Sequence, residues 1–486
     1  MKEYKLAEVR EHCSPNDCWT VIDGKVYNIT TFIPRHPGGN LICFSGGLDS
    51  TVMFHTYHLS NKANTVLDKY LIGRLAHGED QAKLGSFFSE CKQRVREQFD
   101  ELDLCTRPKT AVFACAFTIC SYLLSGLLLV LTANPVAAAI FASTYTRLHT
   151  WMHMCSHGNV FQTSSMNSAC VLVLRALGVF ETGYSYFSRF DNAQFASAYA
   201  AINDQSLLDK DGVHWVGRCR PFGQHSCVHH VSTNIASIDI DMEVFSGFTR
   251  KLGRVVYYGM KPMMGFLFRP FSWSQHVQRE LMLPLLNHWG PVAAYTGSKV
   301  FWKLLLDPGE YTGHIDGVGL SIADKVAIVC GLATLNVVPL VLFTYHGIGV
   351  ACALYIVSGL ALWLQDFPWT MIVMHYVEER NFKDIYRPHF DGDWGEDQCQ
   401  KSTNFSPSWN HALVASPENS VYHLEHHLFP AISPHNLRHV APCIQATCQQ
   451  HGVPYQTMTV CRAKKAFSEL TSNFPEFRFS DAPSAH

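Results

Sequence analysis

Three short segments of the chain concentrate histidine, the side chain most often used as a metal ligand. His153 and His157 lie four residues apart at the end of an apolar run, so on a helix they share one face. Two further clusters each combine a single histidine with a His-His pair: His225 with His229 and His230, and His423 with His426 and His427. Eight imidazoles without a dense carboxylate set exceed the needs of one four-coordinate zinc. They suit two first-row metal ions.

A second candidate site begins at His36-Pro37-Gly38-Gly39 and continues to a segment that holds His55 and His58. A six-coordinate haem needs two imidazoles on opposite faces of its iron, inside an apolar pocket. The glycines let the backbone turn sharply after His36, so that its imidazole can point inward. A haem could therefore be held by His36 together with either His55 or His58.

The candidate haem ligands lie in residues 1–77, which we predict to form a small soluble domain. Residues 18–22 and 25–29 alternate apolar and polar side chains around Asp23-Gly24, a pattern typical of a hairpin. Residues 78–109 are charged, but their apolar side chains recur at spacings of three and four, which predicts an amphipathic helix. Its apolar face could belong to a solvated linker. We favour a helix on the bilayer surface, because an apolar segment follows at once.

Four apolar runs are expected to position the histidine clusters. Ala111 to Leu131 is uncharged and, at about 1.5 Å rise per residue, long enough for a hydrocarbon core of about 30 Å. A second run follows Asn134-Pro135, and two more, residues 326–345 and 348–374, flank His346-Gly347. Two membrane hairpins would return the chain to its starting side each time. Both termini and all three clusters would then share one face.

Composition excludes several classes of protein. Of the 486 residues 47% are apolar and 16% charged, and 38 Lys and Arg nearly balance 40 Asp and Glu, so we expect no nucleic-acid binding. The 17 cysteines are scattered and form no CxxC pair, which argues against a zinc module and a disulfide framework. The N-terminus has no apolar core of signal-peptide length, so we expect it to stay cytosolic.

The first 77 residues resemble cytochrome b5. The resemblance covers residues 19–27 before the first histidine motif, the motif itself, and Tyr70-Leu71-Ile72-Gly73 after it. It implies that His36 and His58 are the axial ligands of a haem b. His55, one helical turn from His58, is the competing candidate.

The rest of the chain resembles the membrane fatty acyl desaturases, especially the front-end group with a fused cytochrome b5. Residues 153–161, 224–234 and 423–430 stand where that family has its three histidine boxes, and residues 403–405 and 452–455 also match family segments. A further metal histidine of the family precedes the third box, and His375 is its counterpart, the alternative being an ordinary interfacial histidine. His149, one turn before His153, has no clear family match, and we expect it either to support the ligands from behind or to be structural. The resemblance implies a di-iron centre with these ligands: His153, His157, His225, His229, His230, His375, His423, His426 and His427.

Three positions depart from the family pattern. Met154 stands where the family has Asp, so a carboxylate that would orient the metal ligands is missing or supplied elsewhere. Three residues rather than two separate His225 from His229, and His423 stands where front-end enzymes have Gln. The first departure bears on activity, and the other two bear on where the new double bond is made.

The fold class implied is an α+β cytochrome b5-like haem domain (residues 1–77), a charged linker helix (78–109), an all-α membrane di-iron domain with four transmembrane helices (110–465) and a polar tail (466–486). No catalytic residue is expected beyond the metal ligands. The multi-pass protein would lie in the endoplasmic reticulum membrane with both termini cytosolic.

The resemblance implies an oxygen-dependent desaturase that acts on a long-chain polyunsaturated acyl lipid or acyl-CoA. Because no GxGxxG dinucleotide fingerprint follows a strand, electrons would come from NADH through a partner, NADH-cytochrome b5 reductase. The alternatives are a cytochrome b5-fused lipid hydroxylase, a sphingolipid long-chain-base desaturase, or a haem protein without catalysis whose iron domain has decayed at Met154.

Overall fold

The computed structural model describes residues 1–79, 84–99, 109–179, 229–231, 233, 322–364, 375, 392–406, 421–463 and 465–466. A small domain of strands and short helices is followed by a helical part, the order that the sequence predicts. The predicted site residue His225 lies outside the described residues.

The N-terminal domain is built on a five-stranded sheet in the order β1-β5-β4-β3-β2, in which only the β1–β5 pair is parallel. Its strands are β1 (Glu3–Tyr4), β2 (Cys13–Ser14), β3 (Asp17–Ile22), β4 (Lys25–Asn28) and β5 (Leu71–Leu75). Its helices are α1 (Leu6–Glu11), α2 (Thr51–Tyr57) and α3 (Lys62–Leu67), with 3-10 turns at Thr30–Arg35, Gly39–Ser45 and Asp68–Tyr70.

The predicted hairpin is the β3–β4 pair. Ile22 lies opposite Lys25, so the loop has two residues, Asp23 and Gly24, with φ values of 51° and 70°. Positive φ at both positions defines the turn whose twist matches that of the strands, and Asp-Gly is a favoured pair for it. Asp23 also helps to hold α2, because its backbone N–H donates to Thr51 Oγ1 at 2.9 Å.

The helical part begins with α4 (Gly85–Gln98) and continues with two helical hairpins. Its helices up to residue 364 are α5 (Lys109–Thr132), α6 (Pro135–Ser156), α7 (Ser164–Ala176), α8 (Ile322–His346) and α9 (Ile348–Leu364). Helix α6 packs against α5, α7 and α9, and α8 packs against α7 and α9.

Both predicted hairpin turns are present. Between α5 and α6, the Asn134 side chain caps α6 by accepting hydrogen bonds from the backbone N–H groups of Val136 and Ala137. Between α8 and α9, Gly347 has a φ of 82°, a left-handed conformation that suits glycine. Among the described residues one helix, α5, is both long and apolar enough to cross a membrane.

The expected bilayer-surface location of α4 is wrong. Its apolar side chains are fully buried by protein, where Phe88 packs edge-on against Trp394 and stacks on Phe429. Hydrophobic periodicity identifies an apolar face but not what covers it. Here α4 is covered by the C-terminal helices.

The C-terminal region consists of short elements around the third histidine cluster. They are α10 (Trp394–Lys401), β6 (Asn404–Phe405), α11 (His423–Leu428), a 3-10 turn (Pro434–Asn436), α12 (Leu437–His451) and β7 (Thr457–Met458). Strands β6 and β7 pair in parallel, which joins the segments before and after α11. Helix α11 packs against α10, α12 and β6, so its position is determined from three sides.

Candidate haem and metal sites

The first candidate site lies around His36 in the N-terminal domain. His36 Nδ1 donates to the carbonyl oxygen of Gly39 at 3.1 Å, which leaves Nε2 for a metal. A Cβ at Gly38 would lie 2.8 Å from His36 Cε1, and Gly39 has a φ of 67°, so the first glycine makes room for the imidazole and the second turns the chain. Burial lowers the pKa of His36, which favours the neutral imidazole that binds iron.

His58 faces His36 from the C-terminal end of α2. Its Nδ1 donates to the carbonyl oxygen of Phe54 at 2.9 Å, so its Nε2 is also left for a metal. The two imidazole centroids are 6.2 Å apart, which leaves room for one iron between the rings with metal–nitrogen bonds of about 2 Å. These two residues fit the axial ligation of a haem.

His55, the competing candidate, has other partners. Its Nε2 lies 3.0 Å from both carboxylate oxygens of Asp23, and Lys92 Nζ donates to its Nδ1 at 3.2 Å. The hydrogen bond from His55 lowers the pKa of Asp23 below its usual range. His55 therefore joins α2 to the β3–β4 turn and to α4.

The second candidate site is where α6, residues 229–230, His375 and α11 meet. Two groups of histidines have ligand nitrogens within 4.8 Å of one another: His153, His157, His230 and His426, and separately His229, His375 and His427. His423 adjoins the second group, with its Nε2 2.9 Å from His375 Nε2. The groups are contiguous, because the rings of His230 and His427 stack at 4.3 Å. The structure thus brings together eight of the nine predicted metal ligands, His375 included.

The nitrogen atoms in both groups are spaced as ligands of shared metals. His153 Nε2 lies 2.9 Å from His426 Nε2, and the His423–His375 pair has the same separation. Two ligands that meet at a metal near a right angle, with bonds of about 2.1 Å, have this spacing. His427 Nε2 is buried without a hydrogen-bond partner among the described residues, as a nitrogen reserved for a metal would be. Two adjacent metal ions therefore fit this donor set.

The ligand rings are oriented by hydrogen bonds to their second nitrogens. His375 Nδ1 donates to the carbonyl oxygen of Lys401 at 2.9 Å, and His427 Nδ1 donates to Gln398 Oε1 at 3.2 Å. His157 Nδ1 lies 2.9 Å from the hydroxyl of Tyr57, in the N-terminal domain. Such contacts select the tautomer that presents Nε2 to the metal. Burial, followed by the neighbouring histidines, holds the pKa of His427 well below its usual range and keeps this ligand neutral.

Met154, the main departure from the family pattern, is fully buried in the apolar cluster that α5, α6 and α7 share. Its side chain replaces a carboxylate with a packing contact. The hydrogen bonds from the ligand histidines to Tyr57, Gln398 and the Lys401 carbonyl orient the ligand rings without it.

A buried polar network anchors α11. Asn404 Oδ1 accepts from the backbone N–H of Leu424 at 2.8 Å, and its Nδ2 donates to Glu425 Oε2 at 2.9 Å. The Tyr455 hydroxyl donates to Glu425 Oε1 at 2.5 Å. Burial raises the pKa of Glu425 to about 7, although both hydrogen bonds act in the opposite direction. Segments 403–405 and 452–455, recognised above only as family-like, thus converge on the helix that carries the third cluster.

The orienting residues had no equally clear signal in the sequence. No repeated spacing marks Gln398, Glu425 or Tyr57 in the sequence. Each one contacts a partner that is distant along the chain. His149 lies outside both histidine groups, with its ring edge-on to Tyr145 at 4.9 Å. Its expected role, either supporting the ligands or structural, stays a prediction.

Comparison with known proteins identifies both parts of the chain. Residues 5–76 match the family model described as "Cytochrome b5-like Heme/Steroid binding domain", and residues 223–459 match "Fatty acid desaturase". The chain is 26% identical to an acyl-lipid (8-3)-desaturase of Physcomitrium patens, over 94% of this chain and 87% of that protein. It is 25% identical to Delta(5) fatty acid desaturase A of Dictyostelium discoideum, over 93% and 89%. A solved cytochrome b558 of Ectothiorhodospira vacuolata, described as a prokaryotic homologue of cytochrome b5, is 40% identical over 15% of this chain and 99% of that one, with a TM-score of 0.15.

The fold and the two matched models define a helical fatty acid desaturase domain that follows a cytochrome b5-like domain. The chain therefore carries a cytochrome b5-like domain and a fatty acid desaturase domain, and the relatives that it resembles over most of its length are named as desaturases. The first domain implies a haem and the second a di-iron centre, which the two histidine groups fit.

Proposed function

We propose that this desaturase uses O2 to introduce a double bond into a long-chain polyunsaturated fatty acyl chain, on the carboxyl side of an existing double bond. The observation that carries the proposal is the pair of contiguous histidine groups, which brings eight imidazoles to one site. The relatives named as Delta(5) and (8-3) desaturases support the front-end position. The carrier would be a phospholipid or coenzyme A.

We assign His36 and His58 as the axial ligands of haem b. We assign the iron ligands in two groups. The first is His153, His157, His230 and His426, and the second is His229, His375 and His427. His423 and His225, which lies outside the described residues, complete the set. When bound, the iron pair supplies the oxidant that removes two hydrogens from an unactivated methylene pair, while O2 is reduced to water. The protein's own part is to keep the ligands neutral, orient their rings and surround them with buried side chains.

Electrons would come one at a time from NADH through a separate cytochrome b5 reductase and the haem domain. The absence of a dinucleotide fingerprint in the sequence supports a separate reductase. The fused haem domain is well placed to deliver these electrons, because α2 packs directly against the helical part: Val52 and Leu59 share a buried apolar cluster with Phe88 and Leu428.

We further propose four membrane crossings, by α5, α6, α8 and α9, in the endoplasmic reticulum. Each of these helices exposes large apolar side chains, which lipid would cover. They include Phe113, Phe117, Leu124, Leu127 and Leu131 on α5, Val136 and Ile140 on α6, Val337, Leu340 and Phe343 on α8, and Ile348 and Leu360 on α9. With two hairpins, both termini and the metal site face the cytosol. The proposed domain limits are 1–77, 78–109, 110–465 and 466–486.

The test is to express the full chain in a yeast that makes no polyunsaturated fatty acids and to feed it such acids. Mass spectrometry should detect a new double bond between the existing ones and the carboxyl carbon. A new hydroxyl group, or no product from a protein that contains haem and iron, would contradict the proposal.

Two variants make the outcome specific to the metal site. His157→Ala removes a ligand from the first group and should abolish conversion. His439→Ala, which removes an exposed histidine outside both groups, should leave conversion unchanged.

A further inference from the structure

A direct side-chain contact joins the haem domain to the metal site. Tyr57 is the last residue of α2, immediately before His58, and its hydroxyl lies 2.9 Å from His157 Nδ1. The two rings are nearly parallel, with centroids 6.3 Å apart. One peptide unit, the Tyr57 side chain and one hydrogen bond therefore connect the assigned haem ligand to the assigned metal ligand.

The direction of this hydrogen bond follows from the role of His157. His157 belongs to the first histidine group, and its Nδ1 lies beside the Tyr57 hydroxyl. Nε2 is therefore the nitrogen left for a metal, and the proton of the neutral ring sits on Nδ1. The Nδ1–H then donates to the Tyr57 oxygen. Tyr57 thus selects the tautomer in which His157 can bind a metal. Gln398 does the same for His427, and the backbone carbonyl of Lys401 does the same for His375.

The contact is held in place on both sides. Lys92 Nζ of α4 donates to the carbonyl oxygen of His55 at 2.9 Å, which fixes the last turn of α2 against the helical part. Val52 and Leu59, on either side of Tyr57 in sequence, are buried in the cluster that contains Phe88. At the other haem ligand, a Cβ on Gly39 would lie 3.0 Å from Ser164 Oγ of α7. The haem pocket therefore lies directly against the helical part.

We propose that Tyr57 is a positioning residue that couples the haem pocket to the metal site, so that electrons pass between them along His58, Tyr57 and His157. This inference rests on the proposed function. In each step one electron leaves the ferrous haem, which becomes ferric, and the metal site gains that electron. Tyr57 keeps its proton and undergoes no net oxidation. The reductant that restores the ferrous haem is NADH acting through the reductase, or dithionite in its place.

The test compares Tyr57→Phe with the wild-type protein, both loaded with haem and iron. The variant keeps the ring and loses only the hydroxyl. After the haem is reduced and the protein is mixed with O2 and acyl substrate, stopped-flow absorbance should show haem reoxidation slowed by about tenfold or more, the usual effect of removing a partner of a metal ligand. The haem midpoint potential should match the wild type, so that a lower driving force does not explain the slower rate. When excess dithionite reduces both centres beforehand, product formed in a single turnover should also match.

The matched control is Tyr70→Phe. Tyr70 also lies in the haem domain, but its hydroxyl accepts from Arg35 and does not contact the metal site. This variant should reoxidise at the wild-type rate. An unchanged rate in Tyr57→Phe, or a rate that falls only in proportion to lost iron, would overturn the inference. A wild-type protein that reoxidises its haem but makes no unsaturated product would instead contradict the proposed function and leave the coupling intact.

Discussion

The ligand assignments depend on which nitrogen of each imidazole is already occupied. In His36 and His58 the Nδ1 atoms donate to backbone carbonyls, and both Nε2 atoms are left for one haem iron. In His55 both nitrogens have side-chain partners. Sequence spacing alone could not make this distinction, because His55 and His58 are one turn apart and only the fold determines which one faces His36.

Substitution of these two histidines should therefore have opposite effects on haem content. We expect His58→Ala to lose the Soret absorbance of bis-histidine haem, because one axial ligand is gone. His55→Ala should keep it, although it breaks the contacts with Asp23 and Lys92. The measurement is the absorbance spectrum of each purified variant. Haem loss from His55→Ala with retention in His58→Ala would reverse the assignment.

Asn404 should matter to the iron site without touching it. Asn404→Ala removes the acceptor for the Leu424 N–H and a donor to buried Glu425, at a cost of about 1–3 kcal/mol for each unsatisfied group. Because both partners lie in α11, we expect its histidines to shift and iron affinity to fall by about 10–100-fold. Iron analysis by mass spectrometry checks this. Thr403→Ala, which removes a hydroxyl bonded to Gln456, is the neighbouring control and should retain iron.

At the scale of elements, the positions of most helices along the sequence were predictable, but the elements that some of them pack against were not. The apolar runs and the turns at Asn134 and Gly347 predicted both hairpins, because run length and turn residues are local properties. The partner of α4 was predicted wrongly. Its apolar face meets α10 and α12, more than 290 positions later in the chain, and no local pattern reports such a contact.

The α4–α12 contact should give stability a specific pH dependence through Glu90. Its carboxylate accepts from His451 Nε2 at 2.7 Å and pairs with Arg94 at 2.6 Å, and these bonds lower its pKa below the ordinary 4.5. Because the pKa is lower in the folded state, the stabilisation is present above pH 4.5 and is lost as the pH falls through the folded value.

Glu90→Gln should therefore melt slightly below the wild type at pH 7, and the two melting temperatures should converge as the pH falls below about 4.5. Thermal unfolding monitored by circular dichroism over this range is the measurement. The control is Glu97→Gln, on the same helix, because Glu97 bonds to Gln93 and not to His451. Its melting temperature should not show this pH-dependent difference from the wild type. A Glu90→Gln difference that grew at low pH would contradict this account of the contact.

At the scale of the whole molecule, the joining of the two domains was the least predictable feature. The sequence indicated that a haem domain and a metal domain share one face of a membrane, but not that α2 would present Tyr57 to His157. Contacts of this kind combine segments about a hundred positions apart and leave no periodic pattern. The histidines themselves were predictable, because those of one box lie within a few residues of one another and can reach the same metal without contacts from distant segments.

The proposed membrane topology predicts different reactivities for two exposed cysteines. Cys461 follows the metal site and should face the cytosol, whereas Cys120 lies in the middle of α5 and should face lipid. In sealed microsomes a membrane-impermeant maleimide should label Cys461 and not Cys120, as read by mass spectrometry of the labelled peptides. Labelling of Cys461 only after the vesicles are opened would contradict the topology.

We expect one chain to hold a haem and, beside it, two irons bound by histidines. The most direct measurement is the metal content of the purified full-length protein, with Mössbauer spectroscopy of protein enriched in the iron isotope that this method detects. We predict one haem and two non-haem irons for each chain, with both non-haem irons in histidine-rich coordination and no zinc. A single non-haem iron, or zinc at the histidine groups, would contradict the account.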